Sequence, residues 1–167
     1  MKRRIASVLL ILALSLGFLI SCDDENEFTH CELTLVLDDS FAEEESEDFD
    51  LLVSNGEVAV SLIRISFDAA LKEGIPDTYL PDVFARFFMM KSERGDEVKL
   101  YGDVPYYTYT EEVNGRDLFY TVTFYRSYNA YFVVAYATPL EYKDKYSEKF
   151  LEYAALAYFN DAPLITN

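Results

Sequence analysis

Histidine and cysteine, the side chains that most often act as nucleophiles, general bases or zinc ligands, are scarce in this sequence of 167 residues. The chain has one histidine, His30, and two cysteines, Cys22 and Cys31. A Ser-His-Asp or Cys-His site needs an oriented imidazole, and His30 lies at the predicted start of the folded domain, where a chain tends to fray. So few ligands also disfavour a zinc site. We therefore expect no catalytic residue, no metal and no cofactor.

Carboxylates, in contrast, are abundant, and the stretch DDSFAEEESED at residues 38–48 is strongly acidic. It suits either a solvated loop or a site for calcium or a cationic partner. The spacing of a calcium loop with its turn glycine is missing, which favours the solvated loop. Glycosidase chemistry by paired acids stays open on residue type alone, so a hydrolase is the weakest of the functions considered. The sequence contains no glycine-rich phosphate loop.

Aromatic side chains form the one group that could bind a partner. Tyr106, Tyr107 and Tyr109 lie on one predicted strand, and Phe119 and Tyr125 lie on one face of the next strand. If a helix covers that face, these residues are ordinary packing residues of a sheet. If the face is open, the five residues are a candidate binding surface for a protein edge or a carbohydrate.

The N-terminus has the pattern of an export signal. Lys2, Arg3 and Arg4 precede the uncharged, mainly aliphatic residues 5–20, which is the order of a signal peptide. These 16 residues are fewer than the ~20 that a helix needs to cross a bilayer. A cleaved signal is therefore expected rather than a permanent transmembrane helix.

Leu19, Ile20, Ser21 and Cys22, which end this apolar segment, resemble the lipobox of bacterial lipoproteins. The resemblance implies that residues 1–21 are a signal peptide and that the Cys22 sulfur carries a diacylglyceryl group. The membrane is then a partner through the lipid on Cys22, and the domain lies outside the cytoplasm, in the periplasm or at the cell surface. Residues 22–30, rich in acid, are expected to form a hydrated tether.

Charge limits the partners further. The net charge of −16 becomes −19 without residues 1–21, which hold three of the 14 basic residues and no acidic residue. Such a charge repels phosphate backbones, so nucleic acid is not expected as a partner, and it also disfavours contact with anionic lipid. With Cys22 acylated, Cys31 cannot form an internal disulfide, and we expect it to be a small buried residue at the start of the first strand. Pairing with a cysteine of another molecule is the minor alternative.

Periodicity predicts a single α+β domain over residues 31–160, followed by a tail at 161–167. Alternation indicates a strand at 31–37, a hairpin turning at Asn55-Gly56 and a three-stranded meander turning at Asn114-Gly115 and at 127–129. Its last strand, AYFVVAYA, is apolar on both faces and should be central. The result is a mainly antiparallel sheet of about six strands covered by two amphipathic helices.

The two helices are predicted from apolar side chains at spacings of three and four. For the first helix, Thr78 is the expected N-cap and Pro81 lies in the first turn, and Met89 and Met90 should fill the core. For the second helix, Thr138 is the expected N-cap, with Pro139 and Glu141 in the first turn. The apolar stripes are Leu80, Val83, Phe84, Phe87 and Phe88 in the first helix and Tyr142, Tyr146, Phe150, Tyr153 and Ala157 in the second.

The order of elements over residues 31–160, the early LDDSF and the closing YFVVAYATPLEYKDKYSEKF resemble the PsbP-like fold family, which includes exported bacterial lipoproteins of the DcrB type. The resemblance is architectural and assigns no functional residue. We expect a non-enzymatic accessory or binding module at the cell envelope with a protein or envelope partner. A small-ligand or cation receptor is the alternative.

Overall fold

The computed structural model describes residues 25–160, which form ten strands and three α-helices. In chain order the strands are β1 (Glu25–His30), β2 (Leu33–Asp38), β3 (Ala42–Glu43), β4 (Leu51–Ser54), β5 (Ala59–Ser66), β6 (Lys99–Tyr101), β7 (Val104–Val113), β8 (Arg116–Arg126), β9 (Ala130–Pro139) and β10 (Tyr158–Phe159). The helices are α1 (Phe67–Lys72), α2 (Pro81–Ser92) and α3 (Lys143–Leu156). None of these helices is long and apolar enough to cross a membrane.

Seven strands form one antiparallel sheet in the order β3-β4-β5-β9-β8-β7-β6, and a smaller sheet has the order β1-β2-β10. The small sheet and α3 pack on one face of the large sheet, and α1 and α2 pack on the other. The α+β class with a mainly antiparallel sheet is therefore confirmed, with more strands than expected. The additional strands β1, β3, β6 and β10 are short or polar, so they carry little periodic signal.

Strand β9 is central and covered on both faces, as its apolar sequence predicts. It pairs with β5 on one side and β8 on the other. Phe132, Val134 and Tyr136 belong to the core under α3, and Tyr131 and Val133 belong to the core under α2. Burial on both faces explains why this strand does not alternate with polar residues.

The two Asn-Gly turns differ. At Asn114-Gly115 both residues have positive φ, 53° and 78°, as the predicted tight hairpin requires. At the other turn only Gly56 has positive φ, and the Asn55 Oδ1 accepts hydrogen bonds from the backbone N–H groups of Glu57 and Val58. That hairpin therefore closes through the four-residue loop 55–58, and the predicted two-residue turn is wrong there.

Both predicted helix starts need correction. Helix α2 begins at Pro81, but Leu80 rather than Thr78 is its N-cap. Helix α3 begins at Lys143, because Thr138 and Pro139 still belong to β9, where Pro139 lies opposite Leu118. At the start of α3, pairing in the sheet thus overrides the local capping signal of Thr138. The inward stripe of α3 is confirmed at Tyr146, Phe150 and Tyr153, which are buried.

The start of the described chain also differs from the prediction. Residues 25–30, expected in the tether, are strand β1, and Glu25 pairs with Asp38. Cys31 is not a buried strand residue; it is exposed in the turn to β2 with a φ of 51°. Helix α1, which we did not predict, begins where the Ser66 side chain accepts the Ala69 N–H. Cys22, the signal peptide and the predicted tail at 161–167 lie outside the described residues.

Candidate functional site

The five aromatic residues of the predicted binding surface do not form one surface. Successive residues of a strand point to opposite faces, so Tyr107 and Tyr109 face α2, whereas Tyr106 points with Phe119 and Tyr125 toward α3. Tyr107 is 1% exposed, and Phe119 and Tyr125 are also buried. Only Tyr106 and Tyr109 are half-buried. The proposed aromatic face is therefore covered on both sides of the sheet.

Tyr125 shows what these side chains do instead. Its hydroxyl donates a hydrogen bond of 2.9 Å to the backbone carbonyl of Ala154 in α3. Burial raises the pKa of Tyr125 to about 12, so the hydroxyl stays protonated and remains a donor. The residue joins the sheet to α3 as part of the core.

Around Tyr109, at the C-terminal end of α2, an arginine and two rings are stacked. The Tyr109 and Tyr120 rings are 4.7 Å apart and nearly parallel, and the Arg94 guanidinium lies 5.5 Å from the centre of the Tyr109 ring. The Arg94 Nη2 also donates to the Glu111 Oε1 at 2.6 Å. Burial opposes the charge of Arg94, but the neighbouring Tyr109 and Glu111 raise its pKa. Arg94 is thus held as a fixed cation.

The outer face of α2 carries apolar side chains that the core does not use. Leu80 is 63% exposed, Met90 is 74% exposed and Val83 is also exposed. Phe87 lies between them; it is half-buried and packs partly against the core under α2, with the Lys91 Nζ 5.6 Å from its ring centre. Positions 80, 83, 87 and 90 fall on one side of a helix with 3.6 residues per turn. We call these four residues the outer stripe.

The outer stripe is a correction to the predicted core face of this helix. The buried residues of α2 are Phe84 and Ala85, whereas Leu80, Val83 and Met90, all expected inside, face outward. The inward-facing and the outward-facing apolar residues of α2 both recur at spacings of three and four. Periodicity alone therefore assigns them to a single stripe. The two sets could have been distinguished because the apolar residues of α2 extend around the helix beyond the width of one core-facing stripe.

The acidic stretch lines an open groove of about 570 Å³ formed by residues 43–47 and 49–52. Some of its carboxylates already have partners: Asp50 accepts the Arg64 N–H at 2.6 Å, and Glu44 accepts the Ser54 hydroxyl. Within residues 25–160, no three His, Cys, Asp or Glu side chains converge as metal ligands. The groove is therefore an open acidic surface in which some of the carboxylates accept hydrogen bonds from neighbouring residues.

Two carboxylates outside this groove hold α3 in place. The Lys149 Nζ and the Tyr153 hydroxyl each lie 2.5 Å from the Asp38 Oδ2. Burial opposes ionisation of Asp38, but these hydrogen bonds and the charge of Lys149 lower its pKa overall. Glu57 makes the same kind of contact at 2.5 Å with Lys145 and Tyr146, and these hydrogen bonds lower its pKa. Sequence reasoning missed both contacts, which join residues far apart in the chain.

Comparisons with known proteins define the fold but not a function. No protein-family profile matches the chain, and no curated protein matches it. A crystal structure from Bacteroides thetaiotaomicron aligns over 84% of this chain with 11% identity and a TM-score of 0.55. The chain spans about half of that structure, since 50% of it is covered.

The cyanobacterial PsbP of Synechocystis (CyanoP) aligns over 88% of this chain and 99% of its own length, with 12% identity and a TM-score of 0.51. LpqN of Mycobacterium tuberculosis, described as involved in cell envelope biogenesis, aligns over 82% of this chain and 91% of its own, with 11% identity and a TM-score of 0.43. At these identities the likeness concerns the fold alone. The likeness to CyanoP over 88% of the chain, with a TM-score of 0.51, gives this chain a PsbP-like fold.

Proposed function

We propose that this protein is a lipid-anchored, non-enzymatic accessory module of a bacterial cell envelope that binds another protein through the outer stripe of α2. The observation that carries the proposal is the exposure of Leu80, Val83 and Met90 on one side of a helix whose opposite side is in the core. A soluble domain gains nothing in stability from such side chains. Their spacing is that of a helix that enters an apolar groove of a partner.

Charge indicates the chemistry of the partner. Arg86 is exposed on α2 and Lys91 lies over the Phe87 ring, with Asp82 as the acidic residue of the first turn. The charged neighbours of the outer stripe on α2 are therefore mainly basic, although the protein as a whole is strongly negative. An apolar groove with acidic residues on its rim would complement both features. Such a partner would be attracted to α2 and repelled by the acidic remainder of the surface.

The anchor rests on the LISC sequence at residues 19–22. A cysteine in this setting receives two acyl chains on glycerol, and stable anchoring takes two chains rather than one. Replacing Cys22 by alanine should release the protein from the membrane fraction and abolish incorporation of radiolabelled palmitate. Retention of the label in Cys22→Ala would show that the lipid is attached elsewhere or not by this route.

Neither of the two carboxylates that hold α3 is suited to be the proton donor of a glycosidase. A glycosidase needs a carboxylic acid whose pKa is raised so that it can donate a proton. The pKa values of Asp38 and Glu57 are lowered instead, because lysine and tyrosine stabilise the charged forms. Both residues therefore act as acceptors that position a helix.

The partner surface can be tested in the producing cells by photocrosslinking. Benzoylphenylalanine in place of Met90 should give one discrete crosslinked species, whereas the same group in place of Glu148, exposed on α3, should give none. The double variant Leu80→Gln/Met90→Gln should weaken the crosslink from position 83 at least tenfold. Substitutions of exposed residues change the free energy of unfolding by no more than about 0.5 kcal/mol. The urea midpoint of the double variant should therefore match that of the wild type. Equal crosslinking from α2 and α3 would refute the assignment of the surface.

A further inference from the structure

The described fold begins very close to the proposed lipid. Strand β1 starts at Glu25, three residues after Cys22. Since an extended chain spans at most ~3.6 Å per residue, the Cα atoms of these two residues are no more than about 11 Å apart in any conformation of the intervening residues. A domain of this size has a radius of gyration of about 14 Å. The link is therefore shorter than the domain itself.

We propose that this short link holds one defined end of the domain against the bilayer surface and directs the opposite end away from it. The inference rests on the lipidation of Cys22 proposed above. It replaces the expectation of a long tether, because residues 25–30 belong to β1, where every residue from Glu25 to His30 is paired with β2.

Contacts around Glu25 define the end that faces the bilayer, which we call the anchored end. Glu25 pairs with Asp38, and the Asn26 Nδ2 donates to the Asp39 carbonyl at 3.1 Å. The next turn residue, Ser40, accepts a hydrogen bond from the Asn55 side chain at 3.3 Å. The turn at 38–41 and the loop at 55–58 therefore lie at the anchored end.

The opposite end of the domain is defined by the other terminus of the same strand pair. β1 has six residues and rises ~3.3 Å per residue, so its ends are separated by about 17 Å. Beyond it lie Cys31 and Glu32, and the Glu32 carboxylate accepts the Ser127 hydroxyl at 2.8 Å. Cys31 and the turn at 127–129 therefore point away from the membrane.

The anchored end carries Glu25, Asp38, Asp39 and Glu57, and Lys145 and Lys149 pair with Glu57 and Asp38. An excess of carboxylates opposes contact with anionic lipid, so the surface that this end fits is a zwitterionic bilayer. The N-terminal end of α2 is oriented outward, because the Tyr79 carbonyl next to it accepts the Tyr131 hydroxyl at 3.0 Å, one residue from the start of β9. The proposed partner surface is then accessible to an envelope protein.

Resonance energy transfer from a donor fluorophore on a single cysteine to an acceptor on the lipid headgroups tests this orientation. The full lipidated chain is reconstituted in phosphatidylcholine vesicles that contain a headgroup-labelled acceptor lipid. One sample carries the donor on the native, exposed Cys31, since the Cys22 sulfur is blocked by the lipid. The matched sample carries it on Ser40→Cys in a Cys31→Ser background. Transfer should be at least twofold more efficient from position 40 than from position 31.

A longer link provides the control. Sixteen Gly-Ser residues inserted before Glu25 have a root-mean-square span of about 22 Å, which should make the two transfer efficiencies nearly equal. Equal transfer without the insertion, or stronger transfer from Cys31, would overturn the proposed orientation while leaving the anchor intact. Protein that does not float with the vesicles would instead refute the anchor, and the orientation with it. These two failures are therefore distinguishable.

Discussion

A close backbone approach at Gly95 ties the exit from α2 to strand β7, and it allows a quantitative prediction. Gly95 has a φ of 78°, and a Cβ added there would lie 2.6 Å from the Tyr107 Cδ2 and 3.3 Å from the Thr108 carbonyl oxygen. Gly74 has nearly the same φ, 79°, with no atom within 4 Å of such a Cβ. Gly74→Ala therefore introduces backbone strain alone, and Gly95→Ala introduces strain and a steric clash.

The two contributions have different sizes. Left-handed backbone costs a residue with a Cβ about 1–2 kcal/mol, and overpacking in a well-packed site costs about 1–3 kcal/mol more. The Tyr107 ring is poorly able to move aside, because it is buried between Phe124 and Tyr109, with ring centres 5.8 and 6.0 Å away. The free energy of unfolding should thus fall by about 1–2 kcal/mol in Gly74→Ala and by about 2–5 kcal/mol in Gly95→Ala.

Urea unfolding followed by far-ultraviolet circular dichroism measures the difference, provided that the slope with denaturant is unchanged between the two variants. Near-ultraviolet dichroism of the tyrosines should also change in Gly95→Ala, since Tyr107 must shift, and it should remain unchanged in Gly74→Ala. Equal losses of stability in the two variants would refute the argument from close approach. The backbone strain would then account for the whole effect.

Three further predictions follow from individual contacts. Native contacts lower the pKa of Asp38, so its stabilising effect is complete above its unfolded pKa near 3.8 and is lost as the pH falls through the lower native value. Asp38→Asn should be less stable by at most about 1 kcal/mol at pH 7, and urea titration should show a smaller difference as the pH falls below 3.8. Tyr125→Phe should lower the free energy of unfolding by about 1–3 kcal/mol, because the Ala154 carbonyl loses a buried donor; a thermal melt unchanged from wild type would contradict this. Cys31 is exposed, so it should react with Ellman's reagent as fast in native protein as in urea; protection of 100-fold would indicate a buried thiol.

Local patterns account for the parts of the fold that depend on neighbours in sequence. The turn at Asn114-Gly115 could be predicted because positive φ at two successive residues is a local requirement. The central position of β9 could be predicted because an apolar run such as AYFVVAYA needs cover on both faces. The export signal and Cys22 are likewise patterns of adjacent residues, and they stay predictions because they lie outside residues 25–160.

The sequence gives wrong predictions for segments whose structure depends on residues that are distant along the chain. Glu25–His30 looks like a solvated acidic segment, and only its pairing with β2 makes it a strand. Thr138 fits a helix cap, yet its hydroxyl donates to the Glu57 carbonyl at 3.0 Å, 81 residues away along the chain. Local propensity is a weak prior that such tertiary contacts override.

The same limit applies to the candidate site. The sequence alone determined that Tyr107 and Tyr109 lie on one strand and that α2 has apolar residues at helical spacing. Only the tertiary structure decided that Tyr107 is covered and that Leu80 and Met90 are not. The physical reason is that the spacing of residues determines which side chains lie on the same face of a helix or strand. Whether that face is buried depends on the elements, distant in sequence, that pack against it.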